Sequence, residues 1–413
     1  MEAPDVPNGW KETTLGEVAH IQRGASPRPI TDPRWFDPSS GVGRVRISDV
    51  THTGAGRLDE TADYLSKAGI EHSRFLPEGS LIMSICATIG VPTVTGFDTC
   101  IHDGFVGITE LRGIDQQFLL HLLRQLEPHF RSLGQTGSQA NLNSDLVRSC
   151  QVLIPESMLD QARIAAVLDD MDTSITALRA LIDKKRAVQQ AVTQDLLSCR
   201  VRLSDFSAPW EHHLLNSISS FMKTKALSRA ELGTSGNVDY VHYGDIHTRW
   251  NDYLDLDREN LPTAELSQAG SATLVQDGDL IIADASEDLS GVGKGVEVEN
   301  VGARSVIAGL HTVLLRPMEG YFSPGFIGVL QHMPEYKAQA RALAAGLKVY
   351  GLSKTALGKF DVALPRPEEQ AAIAALLKDL AADIDALEVR RAKMSTVKQA
   401  ASRVLLTGRI RLS

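Results

Sequence analysis

A mixed α/β chain with two globular heads, joined and separated by two long antiparallel coiled-coil helices, is the fold class this sequence predicts. Three observations carry that reading. The chain repeats itself with a period of about 200 to 210 residues. Two stretches of about 40 residues each space their apolar positions alternately by four and three. Between them lie short β-rich runs cut by Gly, Pro, Asp and Ser turns. The division that follows is a first head at 1–155, a first long helix at 156–203, a second head at 204–365 and a second long helix at 366–413.

The repeat is clearest where each head hands over to its helix. Leu364-Pro365 echoes Ile154-Pro155, and Glu369-Gln370-Ala371-Ala372-Ile373-Ala374 echoes Asp160-Gln161-Ala162-Arg163-Ile164-Ala165. Both copies close alike, as Arg200-Val201-Arg202-Leu203 and Arg409-Ile410-Arg411-Leu412. The heads echo more faintly. Trp10 aligns with Trp210, 45–49 with 241–245, Gly79-Ser80-Leu81-Ile82 with Gly278-Asp279-Leu280-Ile281, and Asn141-Leu142-Asn143 with Gly351-Leu352-Ser353. A well matched frame with poorly matched heads suggests one scaffold carrying two different surfaces. In the first head 44–50, 81–85 and 105–109 read as strands and 116–132 as a helix; in the second, 274–283 and 305–315 read as strands and 324–343 as the helical counterpart.

The helical signal is the strongest in the chain. Ile164, Leu168, Met171, Ile175, Leu178 and Ile182 form one stripe, and Ile373, Leu377, Leu380, Ile384 and Leu387 repeat it in the same phase. A 3.5-residue period keeps such a stripe facing a partner helix. A polar patch interrupts each copy, at Lys185 and Gln189 and at Arg391 and Lys398, before Val192, Leu196, Ala401 and Leu405 resume it. A helix of this length, about 60 Å at 1.5 Å per residue, has one place to bury the stripe, which is the other copy. A surface helix packed on its own domain is the bland alternative. Antiparallel packing would relate the heads by a pseudo-two-fold axis and bring the C-terminus close to Trp10.

Composition narrows the function classes. The hydrophobic fraction of 43% and charged fraction of 23% suit packed cores rather than disorder. No apolar run approaches the roughly 18 residues of a membrane span, and the polar, acidic opening does not read as a signal peptide. Cytoplasmic residence without a membrane partner is the expectation. Cys86, Cys100, Cys150 and Cys199 are too scattered for a zinc site or a disulfide framework. The net charge of −9 divides as 13 basic against 18 acidic residues in 1–155, 7 against 7 in 156–203, 13 against 20 in 204–365 and 9 against 6 in 366–413. Neither head is basic overall, so any hold on nucleic acid must come from local loops or from a partner. Enzyme signatures are missing: the chain has no amino-methyltransferase tetrapeptide, no paired-His metal motif and no Gly-x-Ser-x-Gly elbow. Gly293-Lys294 lacks both the upstream Gly and the following Ser or Thr of a phosphate loop. A non-catalytic chain with no metal and no cofactor of its own is the reading.

Several segments carry a family resemblance. These are Trp10 with Leu15-Gly16-Glu17, Gly24-Ala25-Ser26-Pro27-Arg28-Pro29, Arg46-Ile47-Ser48-Asp49, Ala87-Thr88-Ile89-Gly90, Gly137 with Asn141-Leu142, and the helix entry of Pro followed by acidic-Gln-x-x-Ile-Ala, which occurs twice. Over essentially the whole chain they resemble the specificity subunits of type I restriction–modification systems, the HsdS family. The second head departs from the pattern, with Met222-Lys223-Thr224-Lys225 in place of Gly-Ala-Ser-Pro and Gly346-Leu347-Lys348-Val349-Tyr350-Gly351 in place of the Gly-x-x-x-x-Asn loop. The resemblance implies two target-recognition domains that read a bipartite, asymmetric site on double-stranded DNA. It further implies two copies of a partner DNA adenine methyltransferase, which would bring S-adenosylmethionine, and optionally restriction–translocation subunits. The expected rod agrees: about 60 Å is roughly one and a half turns of B-DNA. The alternative is a two-headed coiled-coil scaffold that binds protein and has no DNA specificity.

Candidate DNA contacts follow from side-chain chemistry. In the first head they are Arg23, Ser26, Arg28, Arg34, Arg44 and Thr88, with the Gly-rich amide and hydroxyl loop of Gln135, Thr136, Ser138, Gln139 and Asn141. In the second they are Lys223, Lys225, Arg229, Asp284, Ser286, Lys294, Lys348 and Tyr350. Arg reads guanine edges or phosphates, Lys mainly phosphates, and Gln or Asn pairs with adenine. For each, an ordinary solvated turn or surface charge is the competing explanation. The acidic run at Asp169, Asp170 and Asp172 reads as a solvated face near a helix start, where negative charge suits the dipole.

Overall fold

The computed structural model describes residues 6–53, 56–134 and 142–412. It divides into two compact units, one of residues 1–179 and 389–413, the other of 180–388.

In the first unit, Trp10–Thr14 pairs antiparallel with Gln151–Pro155, so the chain enters and leaves the head side by side. Between these strands lie two sheets. One has five strands in the order His20–Arg23, Phe105–Thr109, Leu81–Ser84, Pro92–Thr95, Arg57–Leu58. The other has four, Asp63–Tyr64, Gly43–Val45, Thr99–Ile101 and Arg74–Leu76. The helix Gln116–Leu133, capped by the Asp115 carboxylate, packs Phe118, Leu119, Leu122, Leu123 and Phe130 into the core.

The second unit follows the same plan. Glu211–Leu214 pairs with Asp361–Leu364. A five-stranded sheet runs Ser219–Met222, Thr312–Pro317, Leu280–Ala283, Gly295–Glu299, Tyr253–Asp255. A smaller sheet joins Thr263–Ala264, Val238–Val241 and Val306–Ala308. Ala285–Ser286 also pairs antiparallel with Tyr350–Gly351. The faint sequence echo between the heads therefore understates their likeness.

Four segments differ from expectation, the simplest being 274–283, where only Leu280–Ala283 is strand and a turn at Gly278 precedes it. Residues 44–50 begin as a strand but turn at Arg46 into the helix Ile47–Thr53, because the Asp49 carboxylate takes the Arg46 backbone N–H at 2.9 Å and pins the turn. The run 305–315 is two strands in different sheets, separated around Gly309, where a Cβ would collide with the Tyr240 ring. The stretch 324–343 breaks into a 3₁₀ helix, Ile327–His332, and the helix Pro334–Leu343, since Pro334 cannot continue a preceding helix.

The long helices are Met158–Leu197, of 40 residues, and Pro367–Leu405, of 39. Along each, the expected stripe is the buried or half-buried line and its flanks are exposed. Each unit holds half of each helix. In the first, Ile164 and Leu168 share a core with Leu405 and Leu406, while Asp172 pairs with Lys398. In the second, Leu196 and Leu197 meet Ile373 and Leu377, Lys185 bonds Asp383 at 2.8 Å, and Arg186 pairs with Glu388. Within each unit the two halves run antiparallel.

The conserved-looking ends of the repeat have a structural job. The fully buried Gln161 side chain accepts from Asp115 N–H at 2.7 Å and donates to Gly113 O at 3.1 Å and Pro155 O at 2.8 Å. Gln370 repeats the arrangement, accepting from Ser323 N–H at 2.9 Å and donating to Tyr321 O and Pro365 O. At the far end of each copy, Arg411 donates to Asn8 O, and Gly408 packs on Trp10. Arg202 donates to Ala208 O at 2.9 Å, and its guanidinium forks onto the buried Glu369 carboxylate at 2.7 and 2.6 Å. The C-terminal segment thus lies against Trp10, as expected.

Replacing either glutamine with leucine breaks three bonds to backbone groups, with the Pro155 and Pro365 carbonyls and the Ser323 N–H among the buried ones. Gln161→Leu and Gln370→Leu should each cost on the order of 3 kcal/mol, read as a shift in urea unfolding. The exposed Gln190→Leu control should move it by less than about 0.5 kcal/mol; equal effects at all three positions would refute the bracket.

Candidate nucleic-acid interface

In the first head the strand His20–Arg23 ends at Gly24, whose N–H bonds Phe105 O at 2.9 Å. A Cβ at Gly24 would strike the His102 carbonyl, so only glycine lets the chain cross there. Ala25 then bonds Ile101 O at 3.0 Å and delivers residues 26–30 over the smaller sheet. The result is an open cleft of about 480 Å³ lined by Ser26, Arg28, Arg44, His102 and Asp103, with Pro27, Pro29 and Ile30.

Its charges are partly engaged. Arg44 pairs with Asp63 at 3.1 Å while its Nε is buried with no partner among the described residues. Arg23 Nε donates to Asp103 O at 2.7 Å, and Arg28, largely exposed, reaches the Asp103 carboxylate only at 3.7 Å. Burial, with Arg44 nearby, holds the His102 imidazolium below its ordinary pKa, against the pull of Asp103. Gly104 N–H donates to His102 Nδ1 at 2.9 Å, which leaves the proton of the neutral ring on Nε2. Arg, Ser and neutral imidazole together suit the acceptor-rich edge of guanine or a phosphate. His102 carries no motif in the sequence; pairing of 43–45 with 99–101 brings it beside Arg44.

Four expected residues therefore meet around Asp103: Arg23, Ser26, Arg28 and Arg44. Arg34 stands apart from the cleft, 4.1 Å over the Trp35 ring and paired with Asp32. Thr88 lies 3.4 Å from the Thr51 hydroxyl. Gln135, Thr136, Ser138, Gln139 and Asn141 lie outside the described residues.

The second head makes the same crossing with different contents. Lys225 N–H bonds Ala308 O at 3.0 Å, as Ala25 does Ile101. Where Arg44 stands in the first head, the fully buried Tyr240 fills the space. Its hydroxyl accepts from Leu227 N–H at 2.8 Å and Leu310 N–H at 2.6 Å and lies 2.8 Å from Lys225 O. Burial pushes its phenol pKa up, so it remains a neutral donor. Lys223 is exposed, and Arg229 bonds the buried Asp245 at 2.8 Å.

The remaining second-head candidates gather at the end of strand Leu280–Ala283. Asp284 lies 3.4 Å from His311, and burial raises its carboxyl pKa against the pull of His311 and Lys354. Tyr243 sets its ring against His242, His247 and His311. Ser286 is buried and pairs in register with Tyr350; Lys294 turns inward to His247 O at 3.3 Å. Lys348 is exposed on the turn that follows. The Tyr243–histidine group was not anticipated, because its four rings come from two segments more than 60 residues apart, 242–247 and His311.

Asp169 and Asp172 are not a solvated face. His121, 2% exposed, bonds Asp169 at 2.8 Å, Arg124 bonds Asp172 at 3.0 Å, and Lys398 closes on Asp172. The three acid–imidazole groups lie close enough to hold a cation, but Arg124 and Lys398 already neutralise the acids. The cluster fastens the head helix to both long helices.

Residues 7–185 match the family described as the type I restriction modification DNA specificity domain. Solved structures share the fold across the chain. A type I restriction–modification S subunit from M. genitalium matches with TM-score 0.59 at 12% identity, covering 98% of each chain. A chain from a study of complex assembly and conformational transition of the type I R-M system matches with TM-score 0.63 at 17% identity, covering 99% of this chain and 100% of that one. The HsdS subunit from Thermoanaerobacter tengcongensis gives TM-score 0.52 at 18%, with 99% and 100% covered.

Tyr240→Phe leaves the Leu227 and Leu310 N–H groups unpaired and should cost about 1–3 kcal/mol in urea unfolding. An unchanged midpoint would show that the hydroxyl does not hold this region closed.

Proposed function

We propose, from the premise that residues 7–185 belong to the type I restriction modification DNA specificity domain family, that this chain is the DNA-reading subunit of such a system. It is non-catalytic and binds no cofactor of its own. Each head reads one block of a bipartite, asymmetric site on double-stranded DNA. Two copies of a partner adenine methyltransferase supply S-adenosylmethionine and the chemistry, and restriction–translocation subunits join where the system has them.

One observation carries the reading. The same frame is built twice, yet equivalent positions hold different chemistry: Arg44 lines an open cleft, whereas Tyr240 is fully buried with its hydroxyl bonded to backbone. Two such heads would read two unlike blocks. Helices of 40 and 39 residues, about 60 Å long at 1.5 Å per residue, suit the role of a spacer of about one and a half DNA turns. With a net charge of −9, the chain alone should bind duplex weakly and with steep salt dependence; the methyltransferase completes the grip.

Methylome sequencing with and without the gene tests this directly. A split adenine-methylated motif should vanish with the gene; no such motif would favour the protein-scaffold alternative. Exchanging residues 1–155 for another member's head should change one block only, and a change in both would refute independent heads. Inserting seven residues into both long helices should lengthen the unspecified spacer and leave the blocks intact.

A further inference from the structure

Residues 336–360 of the second head include Lys337, Arg341, Lys348, Lys354 and Lys359 and no Asp or Glu, in a chain whose net charge is −9. Within this stretch the helices Pro334–Leu343 and Lys354–Gly358 flank a tight turn. Ala345 and Gly351 close it with reciprocal backbone hydrogen bonds of 2.9 and 2.7 Å. Gly346, at φ +136, makes the tip possible, since a Cβ there would collide with Val349 O. The base of the turn is stitched to Ala285–Ser286, at the strand end that carries Asp284.

This closed, basic turn presents apolar side chains to solvent. Leu347 is 95% exposed and Val349 is 55% exposed, on either side of the exposed Lys348. Burying one leucine is worth about 1.5–3 kcal/mol, so the tip holds unused binding energy within a stretch of chain that carries basic and no acidic residues. A protein groove for an apolar tip is normally apolar and indifferent to Lys348 at the tip and to the basic residues along the same segment. The ligand that is a polyanion outside and apolar inside is the base stack of a duplex, and leucine is among the side chains that enter it.

We propose that Leu347 is a wedge that enters between adjacent base pairs of the block read by the second head, while Lys348 and Arg341 hold the flanking phosphates. This rests on the DNA-reading function proposed above. Indirect readout follows, because a flexible pyrimidine–purine step is cheaper to open than a stiff one.

The test uses the chain assembled with its methyltransferase and duplexes carrying the motif found in the methylome. 2-Aminopurine is placed at successive positions across the block that exchanging 1–155 leaves unchanged. Fluorescence should rise on binding at one step. Leu347→Ala should abolish the rise and weaken binding about tenfold, and Leu347→Met should keep both. Lys348→Ala should keep the rise and lower the salt slope by about one. Tight binding with no rise at any position overturns the wedge. So does a Leu347→Ala complex that binds duplex normally but loses methyltransferase on co-purification, which would mark a protein interface. So, too, does thymine-to-uracil replacement that reproduces the loss without any rise, which would mark a methyl contact. If the wild-type complex binds no duplex specifically, the DNA-reading function fails first and the wedge falls with it.

Discussion

The two buried glutamines, Gln161 and Gln370, set the direction in which each long helix leaves its head. Each sits in the helix's first turns and holds three backbone groups of the head through one amide. A charged or apolar residue could not do this, since the site needs one acceptor and two donors on a neutral side chain. Because the Pro155 and Pro365 carbonyls and the Ser323 N–H are buried, losing those bonds leaves desolvated partners, and the helix cannot pivot cheaply. The paired strands that bracket each head put its entrance and exit side by side. Arg411 and Arg202 then tie the chain just before each head to the segment that ends a long helix. Each unit is thereby closed on itself with a fixed helix exit.

A frame held this firmly leaves the inner surface of the heads free to vary. Arg44 and Tyr240 occupy equivalent strand positions, beside Cys100 and Ile307 in matching parallel pairs. The arginine lines an open, charged cleft; the tyrosine is fully buried and bonds the surrounding backbone. Neither exchange touches the glutamine brackets or the helix stripe. Altered surface chemistry at constant architecture lets two heads built on one plan present different surfaces.

How much of this was legible in the sequence depended on how local each signal was. The helix stripe was readable almost residue by residue, because a 3.5-residue period is a property of one segment. The Gln in the entry motif was visible as a repeat, but its bonds to Gly113 and Tyr321 were not, since those partners lie about 50 residues away. Strand 105–109 was read correctly, whereas 305–315 was read as one run because both halves are apolar and only tertiary packing separates them. Asp169 and Asp172 looked solvated because His121, Arg124 and Lys398 are distant in sequence. His102 and the Tyr243 ring cluster were invisible for the same reason. The grouping of Arg23, Arg28 and Arg44 was legible only as a concentration of arginine; the cleft lined by Arg28 and Arg44, beside the Asp103 that Arg23 bonds, is a product of the sheet pairing.

The polar interruption of the helix stripe has its own physical logic. An all-apolar stripe would bury more area, yet it would tolerate other registers and a parallel partner with little penalty. Lys398 and Lys185 occupy stripe positions, and each finds an acid on the opposing helix, Asp172 and Asp383. Shifting either pairing by a heptad would place a half-buried ammonium against aliphatic neighbours, which is costly without a partner. Partly exposed pairs of this kind add little stability, so their contribution is to specify the antiparallel register, as single polar residues at seam positions do in coiled coils. Fixing the register matters within each unit, because a slip of one heptad would pull Arg411 away from Asn8 and Arg202 away from Glu369.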